Sequence, residues 1–184
     1  MCGIAGIIDK NQIDCSFILK KILNQIKYRG PDESGIKKFE NLAIGMNRLS
    51  IIDSKKHGVP YYNNKKNIWA VFNGEIYNFN KLIKENNLQN HFRTNSDIEI
   101  IIYLYSKYGE NFVKKLNGMF AIAIYDLNKS KLFLFRDRAG EKPLYYYKSK
   151  SQFVFSSEIK SILYFSGNEI NNDYFPYKTL EISF

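Results

Sequence analysis

The chain has 184 residues, 45% hydrophobic and 16% aromatic, with a formal net charge of +9. That length fits one domain, which can bury roughly 70% of its unfolded surface, so no covalent or metal staple is required and the aromatic content excludes disorder. No apolar run approaches the ~20 residues that span a bilayer. The two cysteines and two histidines supply neither a disulfide framework nor a metal site, and the lysines are scattered singly or in pairs, which reads as a solvated surface without a nucleic-acid or membrane partner.

The chain begins Met1-Cys2-Gly3-Ile4-Ala5-Gly6-Ile7-Ile8-Asp9. If Met1 is removed, as expected before a small side chain, Cys2 carries a thiol and a free α-amino group on one Cα. Such an amine ordinarily titrates at about 7.7–8.0 and a cysteine at about 8.5, so at neutral pH one residue can be a nucleophile with its own base. The alternative is an inert cysteine at position two. The apolar run Gly3–Ile8 is too short for a signal-peptide core, lacks a basic leader and stops at Asp9-Lys10, so we expect a buried first strand in a cytoplasmic protein. Its two glycines allow close backbone approach.

From Ser16 to Lys27, Phe17, Ile18, Leu19, Ile22, Leu23 and Ile26 recur at helical spacing, and Arg29-Gly30-Pro31-Asp32 then forces a turn. A strand-like stretch follows from Leu42 to Ile52, then a polar loop from Ser54 to Asn67. Ile68–Phe72 predicts a short buried strand that delivers Asn73-Gly74-Glu75 to its end, where Asn-Gly is by itself a turn signal. Ser96 and Glu99 stand in capping-box register before a helix that Gly109 ends, with a brief helix over 110–116. Strands are predicted over 119–126, 131–136, 144–148 and 152–156, and a closing helix over 157–165. Strands, helices and strands again indicate a layered α+β domain over 1–165. Residues 166–184 read as a tail without obvious structure.

Eight segments occur in order: Met1–Gly6, Arg29–Asp32, Arg48-Leu49-Ser50-Ile51-Ile52-Asp53, Asn73-Gly74-Glu75-Ile76-Tyr77-Asn78, Ser96-Asp97, Gly118–Ala121, Arg136-Asp137-Arg138-Ala139-Gly140 and Lys142-Pro143-Leu144-Tyr145-Tyr146. Together they resemble the N-terminal glutaminase domain of asparagine synthetase, a class II glutamine amidotransferase of the N-terminal-nucleophile hydrolase superfamily. The likeness covers essentially the whole chain. It implies a four-layer αββα sandwich that hydrolyses L-glutamine to glutamate and ammonia through a Cys2 thioester. By this resemblance, the Asn73 side chain and Gly74 backbone stabilise the oxyanion, and Arg48 clamps the substrate α-carboxylate. Asp97, with Glu75, takes the α-ammonium, and backbone groups of Leu49, Ser50, Ile51 and Ile52 complete the pocket. Arg29 and Asn78 are candidates for support of the site, with turn-forming and structural roles as the alternative.

The family usually has His where Tyr28 stands, an apolar residue at Glu141, and Gln-Pro where this chain has Val59-Pro60. Its ATP-pyrophosphatase domain, with a Ser-Gly-Gly-x-Asp-Ser phosphate loop, is not encoded here. The resemblance therefore implies no cofactor for the glutaminase reaction, with ATP and magnesium needed only in an absent synthetase domain or subunit, to which 166–184 would be the start of a linker. A catalytically weak remnant acting as a binding module is the alternative function.

Overall fold

The computed structural model describes residues 1–11, 14–50, 58–88, 92 and 96–166, and the backbone of 180–183. The first sheet contains β1 (Gly3–Asp9), β2 (Glu33–Lys38), β3 (Leu42–Arg48), β8 (Tyr145–Lys148) and β9 (Gln152–Ser156) in the order β2-β3-β1-β9-β8. The second contains β4 (Tyr61–Tyr62), β5 (Ile68–Ile76), β6 (Gly118–Asp126), β7 (Lys131–Arg136) and β10 (Leu180–Ser183) in the order β10-β7-β6-β5-β4. All pairings are antiparallel. Helices α1 (Cys15–Gln25) and α4 (Ile159–Ser166) cover the first sheet; α3 (Asp97–Tyr108) covers the second, with the short α2 (Phe79–Glu85) beside it. The result is the expected αββα layering.

The period of two along a strand explains this arrangement. In β1, Ile4 and Ile8 face the core between the sheets, while Ala5 and Ile7 face α1. In β3, Leu42, Ile44 and Met46 face inward between the sheets and Ala43 faces the helix. Central strands covered on both faces read as unbroken apolar runs, because each face removes about 1.5–3 kcal/mol of large side chain from water. Cys2 continues the phase of Ile4, and Arg48 that of Met46, so both project between the sheets at the end where the apolar filling stops.

Several elements depart from the sequence reading. The first helix is capped by Asp14, whose carboxylate accepts from Ser16 N–H, and starts at Cys15. The strand expected over 42–52 ends at Arg48; Ile51 and Ile52 lie outside the described residues. The strand expected over 68–72 continues to Ile76, because β6 pairs with it through Asn73, Gly74 and Glu75. Ser96 occupies the N-cap position of α3 but forms no capping bond; its hydroxyl bonds Tyr61 instead. The edge strand β2 and helix α2 were not anticipated, since neither carries a long apolar period. Residues 180–183, expected within a structureless tail, pair with β7. Among the described residues, no helix is long and apolar enough to cross a membrane.

Candidate active site

At the shared end of the two sheets lies a cavity of about 190 Å³, lined by Cys2, Arg48, Leu49, Tyr61, Asn73, Gly74, Glu75, Ser96, Asp97 and Lys142, together with Met1, Met46, Phe72 and Met119. It is smaller than the roughly 300–1,000 Å³ common for drug-sized ligands, and suits a ligand the size of one amino acid. Tyr61 also borders a larger cavity, of about 770 Å³, against α3. The described lining of that cavity contains no thiol and no arginine, so size does not decide which of the two carries the chemistry.

Cys2 is held from two directions. Its carbonyl accepts from Arg29 Nε at 3.1 Å, and its sulfur receives Leu49 N–H at 3.5 Å while lying 3.8 Å from Leu49 O. One step inward, Ile4 N–H donates to Ser157 Oγ and Ile4 O accepts from Ser157 N–H. The thiol is thus fixed by the fold although it belongs to the chain terminus. The other cysteine is a useful contrast: Cys15, the first residue of α1, is fully buried, and burial, with Asp9 adding to it, pushes its thiol above the ordinary range. A buried, protonated thiol is a poor nucleophile.

Arg48, at the end of β3, is buried, and its Nη1 donates to Glu33 Oε2 at 3.3 Å across the β2–β3 pair. Glu33 also accepts from Gly58 N–H. Asp32 accepts from Ser50 N–H at 2.7 Å, which ties the Arg-Gly-Pro-Asp turn to the segment after Arg48. Gly30 has a packing reason to be glycine: a Cβ there would come 2.2 Å from Asn47 O. Gly6, expected to give clearance near the terminus, instead makes room for the Phe155 ring, 2.2 Å from where its Cβ would stand.

The second sheet supplies the opposite wall. Asn73 is 1% exposed and its Nδ2 has no hydrogen-bond partner among the described residues. An unpaired buried donor costs about 1–3 kcal/mol, which makes this amide a group awaiting an acceptor. The sequence expectation of Asn-Gly at the end of the strand is therefore corrected: both residues lie inside β5, and the partner strand decides it. Gly74 sits opposite Phe120, where a Cβ would come 2.1 Å from Met119 O. Asp97 accepts Ile76 N–H at 2.7 Å. Burial pushes its carboxyl above the usual aspartate value, against the pull of the Ile76 hydrogen bond, and Glu75 adds to the rise.

Of the sequence-predicted residues, the cavity brings together Cys2, Arg48, Leu49, Asn73, Gly74, Glu75 and Asp97. Arg29 reaches it through the Cys2 carbonyl. Asn78 does not: its amide donates to Lys115 O and accepts from Asn117 N–H, joining β5 to the start of β6. Sequence reasoning missed Lys142 as a member of the cavity wall. Its signal was weak, since lysine is common in this chain, but the neighbouring Asp137 is 3% exposed and accepts from the N–H groups of Phe120, Glu141 and Lys142. A buried carboxylate organising a turn is what orients the lysine. Among the departures, Tyr28 is exposed beneath Lys160 Nζ at 4.1 Å, and Glu141 contributes its backbone to the Asp137 turn. No cluster able to hold a metal occurs among the described residues.

Two face-to-face antiparallel sheets between helical layers, with a cysteine near the N-terminus facing the seam, define an N-terminal-nucleophile hydrolase fold. The fold is shared with the glutamine phosphoribosylpyrophosphate amidotransferase of B. subtilis solved with ADP and GMP, at a TM-score of 0.74 and 20% identity, over 88% of this chain and 43% of that one. The chain belongs to the glutamine amidotransferase domain family, which matches residues 1–179. It is 44% identical over 167 residues to asparagine synthetase [glutamine-hydrolyzing] 2 of Bacillus subtilis. It is 41% identical over 182 residues to a putative asparagine synthetase [glutamine-hydrolyzing] 2 of Methanocaldococcus jannaschii. These matches cover 88% and 89% of this chain but 22% and 35% of the two relatives' lengths. The chain is thus a glutamine amidotransferase domain resembling part of the glutamine-hydrolysing asparagine synthetases.

Proposed function

We propose that this domain hydrolyses L-glutamine to L-glutamate and ammonia with Cys2, freed of Met1, as the nucleophile. The unpartnered Asn73 Nδ2 on the cavity wall that faces the thiol is the observation that carries this reading. Glutamine enters with its α-carboxylate toward Arg48, whose guanidinium suits a carboxylate better than an ammonium does. Its α-ammonium lies toward Asp97 and Glu75. Backbone groups of Leu49 and Ser50, followed in sequence by Ile51 and Ile52, complete the amino-acid end.

The Cys2 sulfur adds to the side-chain amide carbon as its proton passes to the α-amine, through water because both groups share one Cα. The carbonyl oxygen becomes an oxyanion, and the Asn73 amide and Gly74 N–H donate to it. Collapse breaks the carbon–nitrogen bond, a proton returns from the α-ammonium to the leaving nitrogen, and ammonia departs. Water then attacks the thioester, releasing glutamate and restoring the thiol. Arg29 holds the Cys2 carbonyl during both steps.

This chemistry is complete without a cofactor. ATP and magnesium would serve a synthetase region, in the same polypeptide or in a partner, that amidates aspartate with the released ammonia; the names of the relatives support that acceptor. We propose a cytoplasmic setting, with the first apolar run serving as a buried strand of the fold. The test is turnover by the purified chain. Glutamate and ammonia are expected in equal amounts, and Cys2→Ala is expected to abolish both. A Cys2→Ala protein that hydrolyses glutamine as fast as its parent overturns the reading.

A further inference from the structure

Lys142 is 7% exposed, and among the described residues the side-chain partner of its ammonium is the thioether of Met1, 3.3 Å away. Its backbone is fixed on both sides: its N–H donates to Asp137 Oδ2 at 3.0 Å, and its carbonyl accepts from Arg136 Nε at 2.7 Å. The side chain therefore reaches the chain terminus from a rigid turn. Thioether sulfur is a weak acceptor, and a buried cation ordinarily has an anionic partner. Other charges around the terminus do. Arg29, on the turn after α1, pairs with Glu158, and Arg48, on β3, pairs with Glu33 on β2. From β5 and α3 come the acids Glu75 and Asp97, the latter engaged by Ile76 N–H, and from β4 comes the Tyr61 hydroxyl. Lys142 is the cation of this set with no carboxylate partner among the described residues.

We propose that Lys142 is a positioning residue whose charge acts through the Cys2 thiol–amine pair, a role that rests on reading Cys2 as the nucleophile. Removal of Met1 takes away the thioether and brings the α-amino group to the new terminus. A neighbouring fixed cation disfavours the form in which the pair holds both an ammonium and a thiol, and favours the form that has lost a proton. The pair becomes reactive at lower pH than it would alone, and the anion that forms there pairs with the buried ammonium.

The experiment is the pH dependence of Cys2 alkylation by iodoacetamide in chains prepared without Met1, followed by mass spectrometry beside the pH profile of glutamine turnover. Lys142→Met is expected to move the alkylation midpoint and the acidic limb of kcat/KM upward by about one pH unit, a roughly tenfold loss of rate below the midpoint. Lys142→Arg is expected to keep both. If Lys142→Met does not fold, Lys142→Gln takes its place in the same measurement. An unchanged midpoint in a folded charge-free variant overturns the proposal. Absence of glutamine turnover in every variant, with the alkylation shift intact, would overturn the proposed function and leave the Lys142 assignment standing.

Discussion

The two sheets reach the same cavity in different conditions. The first arrives with Cys2 and Arg48 already held, the sulfur by Leu49 N–H and the guanidinium by Glu33. The second arrives with Asn73, whose amide has no described partner, and with Asp97 from the α3 helix that covers it, whose carboxyl burial makes harder to ionise. One wall is assembled to hold reacting and anchoring groups still. The other keeps polar capacity in reserve, at a cost to the free protein, for charges that arrive only with substrate and with the tetrahedral intermediate. Interactions kept for the transition state raise kcat, and those kept for bound substrate lower KM.

If that division holds, substitutions on the second wall cost function without costing stability. The largest effect is expected for Asn73→Ala. Loss of one oxyanion donor lowers kcat by about 10²- to 10³-fold. Because the donor removed is unsatisfied, the melting temperature should stay level or rise. An Asn73→Ala protein that melts well below its parent contradicts the view of this amide as an unpaired donor, whatever its rate.

Asp97→Asn should give a smaller loss, expressed mainly in KM, of about ten- to a hundredfold, as expected when a hydrogen bond to a charged group worth about 1.5–3 kcal/mol is removed. The sign of its pH behaviour follows from the raised carboxyl. A folded-state value above the unfolded one means that the stability contributed by the protonated acid is present at low pH and lost as pH rises through the folded value. Ionised Asp97 therefore opposes folding at neutral pH, and Asp97→Asn should be as stable as the parent or more so there. Binding runs the other way: the parent KM should worsen as pH falls toward the raised Asp97 value, and the Asp97→Asn KM should lack that dependence. Thermal melts and KM measured from pH 4 to 8 report both.

The sequence exposed the first wall more clearly than the second. Cys2 is a candidate by position, which the ordered motifs strengthen, and Arg48 stands out in a chain that mostly uses lysine. Strand phase then carries both to the seam, because Ile4 and Met46 mark the inward face. Asn73-Gly74 is locally a turn. Only its pairing with Ala121 and Phe120, more than forty residues on, makes it the interior of β5, and no local signal records such long-range pairing. The same limit hid Lys142, whose burial depends on the Asp137 turn meeting Phe120 N–H. The capping box failed for a related reason: the Ser96 hydroxyl is taken by Tyr61, a tertiary contact that overrides the helix-start pattern.

Whether Cys2, stripped of Met1, is the attacking group can be measured by intact-mass and peptide mass spectrometry after treatment with an electrophilic glutamine analogue. The account predicts a chain lacking Met1 that gains one adduct, on Cys2 and not on buried Cys15, with glutamine protecting against it. An active protein that keeps Met1, or loss of activity on modification at a residue other than Cys2, would contradict it.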